Sequence, residues 1–212
     1  IEYLPQYAAA QFDEVEQIQN EKSTIDLMFA GNIGAAQSLE TVLKAAEILR
    51  EESNLRWHIV GDGSELDNLK KMAEEKNLRN VIFYGRKPSD EMPQYYAMAD
   101  AMLVTLTADR FISLTLPGKV QTYMAAGKPI IGAAIGEIPN VIDAAKCGYC
   151  ASAEDAKGLA EAVLKFIANE NRKQLGENSR AYYEQHFTRD MFMNHLEKEL
   201  RCYGYKKEGA TI

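Results

Sequence analysis

The stretch Ile25-Asp26-Leu27-Met28-Phe29-Ala30-Gly31-Asn32-Ile33-Gly34 decides how this chain is read. A nearly continuous apolar run that stops at glycine has the form of a strand buried on both faces, as parallel sheets require. Just beyond it, Leu39, Val42, Leu43, Ala46 and Leu49 fall on one helical face, so residues 39–49 are expected to form a helix. The alternation then repeats. Further strands are expected at 57–60, 81–84, 101–106, 129–134 and 149–151, the first two of these ending at Gly61 and Gly85. Helices are expected over 65–76, 90–99, 119–126, 139–145, 155–168, 170–185 and 189–200. Ser89 reads as an N-cap, with Met92 in place of the capping-box acid; Gly127 reads as a C-cap; Glu154 and Asp155 face a helix N-terminus. Strands alternating with helices of this length imply βαβ units with right-handed crossovers. The expected fold is α/β: a doubly wound, parallel, Rossmann-like sheet with helices on both faces.

Working outward, residues 1–24 read as a connecting segment, whose part 11–22 is polar and helix-prone. Residues 25–203 read as one domain with extra C-terminal helices, and 204–212 as a polar, frayed tail. No internal repeat or Gly/Ser linker divides the chain. Its 212 residues can bury a core without a metal or disulfide staple. The first residue is not Met, so a piece of a longer protein is expected.

Composition excludes several classes. With 46% hydrophobic and 26% charged residues the chain is neither disordered nor fibrous. No apolar run approaches the roughly eighteen residues of a membrane-spanning helix. The start, Ile1-Glu2-Tyr3-Leu4-Pro5, is not a secretory signal. A net charge of −7 argues against a nucleic-acid polymer as partner. It leaves room for a small anion held by backbone N–H groups. The three cysteines, Cys147, Cys150 and Cys202, fit a reducing, cytoplasmic setting. Cys147 and Cys150 form C-x-x-C, which reads as a redox pair, as half a zinc site, or as two small buried residues flanking Gly-Tyr. The last reading fits better, because no second C-x-x-C and no nearby His follows. His58, His186 and His195 are not at ligand spacing, and no metal site is expected. No Ser/His/Asp order marks a nucleophile. Tyr95-Tyr96 and Tyr182-Tyr183 read as packing pairs.

In such a sheet ligands bind outside the carboxyl ends of the strands. The informative residues therefore follow each strand. Gly31-Asn32-Ile33-Gly34 reads equally as a phosphate cradle and as an ordinary βα turn; Ala36 stands where a third fingerprint glycine would be, and no P-loop lysine follows. Gly61-Asp62-Gly63 reads as ligand contact or as a tight turn with Ser64 as cap, and Leu66 breaks its fingerprint. Leu116-Pro117-Gly118-Lys119 reads as a helix start whose N–H groups and lysine hold an anion, or as a solvated lysine in a Pro-Gly turn; the first fits better, because two other candidate anion loops are expected on the same sheet edge.

Phe29-Ala30-Gly31-Asn32-Ile33-Gly34, Ile59-Val60-Gly61-Asp62-Gly63-Ser64, Val81-Ile82-Phe83-Tyr84-Gly85-Arg86, Pro117-Gly118-Lys119 and Met124-Ala125-Ala126-Gly127-Lys128-Pro129-Ile130-Ile131 occur in this order. Together they closely resemble the C-terminal domain of group 1 (family 4) retaining glycosyltransferases of the GT-B fold. The nearest branch is that of bacterial surface-polysaccharide transferases of the WbuB kind.

The resemblance implies a domain that holds a nucleotide-sugar donor, UDP-linked, for transfer to a polysaccharide or lipid-linked acceptor. The donor is a substrate, so no cofactor is implied. Gly31, Asn32, Ile33 and Gly34, with Thr115, Leu116, Pro117, Gly118 and Lys119, would hold the diphosphate. Gly61, Asp62, Gly63, Gly85, Arg86, Lys87, Pro88 and Thr122 would border the nucleoside. Arg86 and Lys119 are the local cations that offset an acidic domain. The family's arginine after the first strand's glycine is replaced by Asn32, and its following lysine approximately by Gln37. The family's carboxylate pair would fall on Leu114 and Thr122, so no catalytic residue is assigned in this chain. An N-terminal acceptor domain would complete the enzyme, with this chain alone inactive and the full protein peripheral at the inner membrane face. Two alternatives stay open: half of a GT-B sugar-nucleotide epimerase, and a non-catalytic nucleotide-binding or interaction module.

Overall fold

The computed structural model describes residues 4–13, 15 and 24–202. Six strands form one sheet: β1 (Ile25–Ala30), β2 (Leu55–Val60), β3 (Val81–Gly85), β4 (Ala101–Thr105), β5 (Ile130–Ala133) and β6 (Gly148–Ala151). Their order is β3-β2-β1-β4-β5-β6, and every pairing is parallel. This is the doubly wound sheet expected from the alternation. The helices are α1 (Leu39–Ile48), α2 (Leu66–Glu75), α3 (Met92–Met98), α4 (Gly118–Ala125), α5 (Glu137–Ala145), α6 (Ala156–Ala168), α7 (Arg172–His186) and α8 (Arg189–Cys202). No helix among the described residues is long and apolar enough to cross a membrane.

The period-2 alternation of each strand sorts its side chains into two cores. Leu27, Phe29, Trp57, Ile59 and Leu103 face α1, α2 and α6, where Leu43, Leu69, Val163 and Phe166 meet them. Met28, Ala30, Val60, Met102 and Val104 face α3, α4, α5 and α7, where Tyr96, Tyr123, Ile138 and Tyr183 meet them. Strand β1 is buried along its whole length, while the edge strands β3 and β6 are half-buried. Each fully buried large apolar side chain contributes about 1.5–3 kcal/mol.

Asp26 interrupts the apolar run of β1 and is buried, so its charge needs partners. His58 Nε2 lies 2.8 Å from its carboxylate, and Arg56 Nε lies 3.9 Å away. The other ring nitrogen, Nδ1, lies 2.8 Å from Tyr84 Oη, so both nitrogens of His58 are hydrogen-bonded. His58 is therefore structural, as its place within a strand suggests.

Some boundaries differ from expectation for local reasons. Strand β2 starts two residues early, at Leu55, because exposed Arg56 masks the apolar run. Ser89 is not an N-cap. A 3-10 turn, Ser89–Glu91, leads into α3, whose start is fixed by Pro93 in its first turn. Gly127 has φ +64° and its N–H donates to Met124 O at 2.9 Å, the expected helix stop. Asp155 caps α6 by accepting from Gly158 N at 2.9 Å. Cys147 and Cys150 are free thiols, pushed up to about 12 and about 11 by burial, so neither is a ready thiolate.

The segment before β1 packs more than its polar reading suggests. Ala8 and Phe12 are buried against the core, and Ala10–Phe12 forms a 3-10 turn. The rest of the helix-prone stretch, 14 and 16–22, and the tail 204–212 lie outside the described residues.

Candidate functional site

The carboxyl ends of β1, β2 and β3 open into a cavity of about 880 Å³. Gly31 and Asn32 enter it from β1, and Gly61 and Asp62 from β2. Arg86, Lys87, Pro88 and Ser89 come from the turn after β3, Met92 and Tyr96 from α3, and Lys119 and Thr122 from α4. Phe12 closes one side. Nine of the residues proposed from sequence thus share one cavity.

Glycine at position 61 is what lets two of these turns meet. A Cβ there would lie 1.8 Å from Gly31 O, and φ is +141°. The backbones after β1 and β2 are in direct contact, which only glycine permits. These turns also use most of their own donors. Gly31 N–H donates to Val60 O at 3.0 Å, Ile33 N–H to Asp62 O at 2.8 Å, and Gly34 N–H to Gln37 Oε1 at 3.2 Å. Gly61 N–H donates to Gly85 O at 3.0 Å, and Gly63 N–H to Asp62 Oδ1 at 2.8 Å. The expected cradle of open N–H groups over 31–34 therefore narrows to Asn32. Ile33 is fully buried in the core, where its side chain meets no ligand space.

Helix α4 supplies the charge. Tyr123, one turn after Lys119, donates its hydroxyl to Ala30 O at 2.9 Å and accepts Ala30 N–H at 3.1 Å. This clamps α4 onto the last residue of β1. Lys119 then lies across the strand end, with Nζ 3.9 Å from the Phe29 ring centre. A Cβ on Gly31 would sit 3.1 Å from that Nζ. Lys119 Nζ is buried and has no hydrogen-bond partner among the described residues. Burial without a counter-charge lowers its pKa to about 7. An ammonium held this way lacks an anion, and it faces the cavity.

Other proposed residues lie outside the lining. Leu116 is buried in the core, and Thr115 donates its hydroxyl to Ile112 O at 2.8 Å. Pro117 and Gly118 form the entry of α4, Gly85 ends β3, and Gly34 and Gly63 lie just behind the turns. Thr122 lines the cavity while donating to Gly118 O at 3.0 Å. Leu114 is 68% exposed outside it. Phe12, Ser89, Met92 and Tyr96 were not foreseen as site residues. Among the described residues no group of three His, Cys, Asp or Glu side chains is arranged to hold a metal.

The sequence model described as "Glycosyl transferases group 1" matches residues 11–182. The chain belongs to the group 1 glycosyl transferases. A Pseudomonas aeruginosa relative, described as the probable glycosyltransferase WbjE, is 31% identical over 162 residues, covering 76% of this chain and 40% of its own. The Erwinia amylovora amylovoran biosynthesis glycosyltransferase AmsK is 27% identical over 130 residues, covering 59% of this chain and 34% of its own. Among solved structures, Anabaena HepE in complex with UDP-glucose superposes with a TM-score of 0.74 at 17% identity, over 84% of this chain and 49% of that one. This likeness shows the fold alone, the Rossmann-like half of a GT-B fold. The glycosyl transferase domain described here spans 34–40% of the length of these two curated relatives.

Proposed function

We propose that this domain binds the nucleotide-sugar donor of a retaining glycosyl transfer, with UDP as the nucleotide. The observation that carries the reading is Lys119: a buried amino group with no hydrogen-bond partner among the described residues, lining a cavity at the carboxyl edge of a doubly wound sheet. A diphosphate supplies the missing counter-charge. Asn32 lines the same cavity, and its backbone N–H can add a donor to the diphosphate. Arg86 and Lys87 add positive charge near the cavity's other end. As the glycosidic bond breaks, negative charge grows on the departing diphosphate, and Lys119 stabilises that state more than the ground state.

The acceptor, a polysaccharide or lipid-linked sugar, is proposed to meet the donor from an N-terminal domain of the whole protein, at the cytoplasmic membrane face. A second reading, nucleotide binding without turnover, is favoured by the non-acidic Leu114 and Thr122 at the places where the resemblance puts a carboxylate pair. Calorimetric titration with a panel of nucleoside diphosphates tests the first reading. UDP should saturate one site for which pyrophosphate competes. Absence of binding by every nucleoside diphosphate and by pyrophosphate would contradict it.

A further inference from the structure

The cavity at the carboxyl edge spans from the β1 side, with Asn32 and, from α4, Lys119, to the turn after β3, with Arg86, Lys87 and Ser89; Met92, Tyr96 and Phe12 supply apolar lining. Phe12 does not belong to the sheet or to any helix that follows it. It comes from the segment before β1, and its ring packs 4.9 Å from that of Tyr96. That segment is anchored on both sides of Phe12. Ala8 N–H donates to Tyr183 Oη at 3.3 Å, and Arg180 Nη1 donates to Asp13 O at 2.9 Å. Next to Phe12, Gln11 Nε2 donates to Ser89 O and, at 3.0 Å, to Ser89 Oγ. Ser89 itself lines the cavity. An exposed glutamine thus ties the segment to the rim, and the aromatic ring beside it is directed inward.

We propose that Phe12 is a base-binding residue of the donor site, forming an apolar wall for the nucleobase end of a nucleoside diphosphate. Gln11 is the positioning residue that holds this wall through Ser89. The proposal rests on the nucleotide reading above and deepens it by assigning the cavity's two ends to two parts of one ligand. An aromatic face suits a base because every base presents a π-face and an apolar plane. Pyrophosphate has no base to meet the Phe12 ring, so its affinity should not depend on that ring.

The test is calorimetric titration of UDP and, separately, of inorganic pyrophosphate into the wild type, Phe12→Leu and Gln11→Leu. Phe12→Leu keeps apolar volume in the core and removes the ring. Gln11→Leu changes only an exposed side chain and serves as the second variant should Phe12→Leu lose stability. Phe12→Leu should weaken UDP about tenfold. Gln11→Leu should weaken it about threefold with an unchanged melting temperature. Pyrophosphate affinity should stay at the wild-type value in both. Wild-type UDP affinity in both variants, or a parallel loss of pyrophosphate, would overturn the role of Phe12 while leaving the nucleotide reading intact. A wild type that binds neither ligand would overturn both.

Discussion

Lys119, in the first turn of α4, and Lys128, just beyond its end, both bury their amino groups, yet the two sites are opposites. Lys128 is at the amino edge of the sheet, between α4 and β5. Its Nζ donates to Ala99 O at 2.9 Å and Ala97 O at 3.5 Å, closing the C-terminus of α3. The cavity there, about 780 Å³, is comparable in size to the one at the carboxyl edge. Its other cations are engaged as well. Arg172 Nη1 donates to Ile167 O at 3.2 Å, Arg180 Nη1 to Ala125 O at 2.6 Å, and Lys173 pairs with Glu177 at 3.6 Å. At the carboxyl edge Lys119 has no such partner. Burial of a lysine is therefore not by itself the signal; burial without a hydrogen-bond partner is what singles out Lys119. One lysine holds the fold together; the other weakens it, a cost that the proposed diphosphate would offset.

This contrast can be broken by substitution. The largest effect is expected from Lys128→Met, which leaves the carbonyls of Ala97 and Ala99 without their donor. It should lower stability by about 3 kcal/mol in urea unfolding, with UDP affinity of the folded protein unchanged. Lys119→Met should act in the other direction. Removing an unpaired buried ammonium should raise stability by about 1 kcal/mol at pH 7, while UDP binding weakens at least thirtyfold, about 2 kcal/mol.

The sign of the pH dependence follows from the same group. Lys119 is largely neutral in the folded protein above pH 7, whereas its unfolded value is near 10.5. The unfolded state holds more protons between those values, so this lysine makes stability rise with pH from about 7 to 10. Comparing urea unfolding at pH 7 and pH 9 should show that slope in the wild type and its loss in Lys119→Met. The smallest effect is expected at the far end of the cavity. Arg86→Ala should weaken UDP only about two- to threefold in the same titration, because a solvent-screened cation contributes little.

The sheet was legible because parallel strands are near-continuous apolar runs, as in residues 25–30, and because glycine follows three of them. The carboxyl edge was legible by the same rule, since topology alone brings Gly31, Gly61, Arg86 and Lys119 to one side. What sequence could not give was the state of each donor. Ile33 and Gly34 read as open N–H groups, but their bonds to Asp62 and Gln37 form only when the turns fold together. Lys119 was visible as a cation, whereas its burial over Phe29 depends on the Tyr123 clamp across α4 and β1. Phe12 was hidden for a different reason. Its partners lie in α3, far along the chain, and no local pattern in a polar segment signals such a contact.

Proton uptake on binding tests the central claim most directly. A diphosphate beside Lys119 should restore its charge, so UDP binding at pH 8 should take up close to one proton. Calorimetry in buffers of different ionisation enthalpy measures this. The expected result is uptake in the wild type, an affinity that falls as pH rises above 7, and no uptake in Lys119→Met. UDP binding without proton uptake in the wild type, or with the same uptake in Lys119→Met, would contradict the assignment of Lys119 as the anion's anchor.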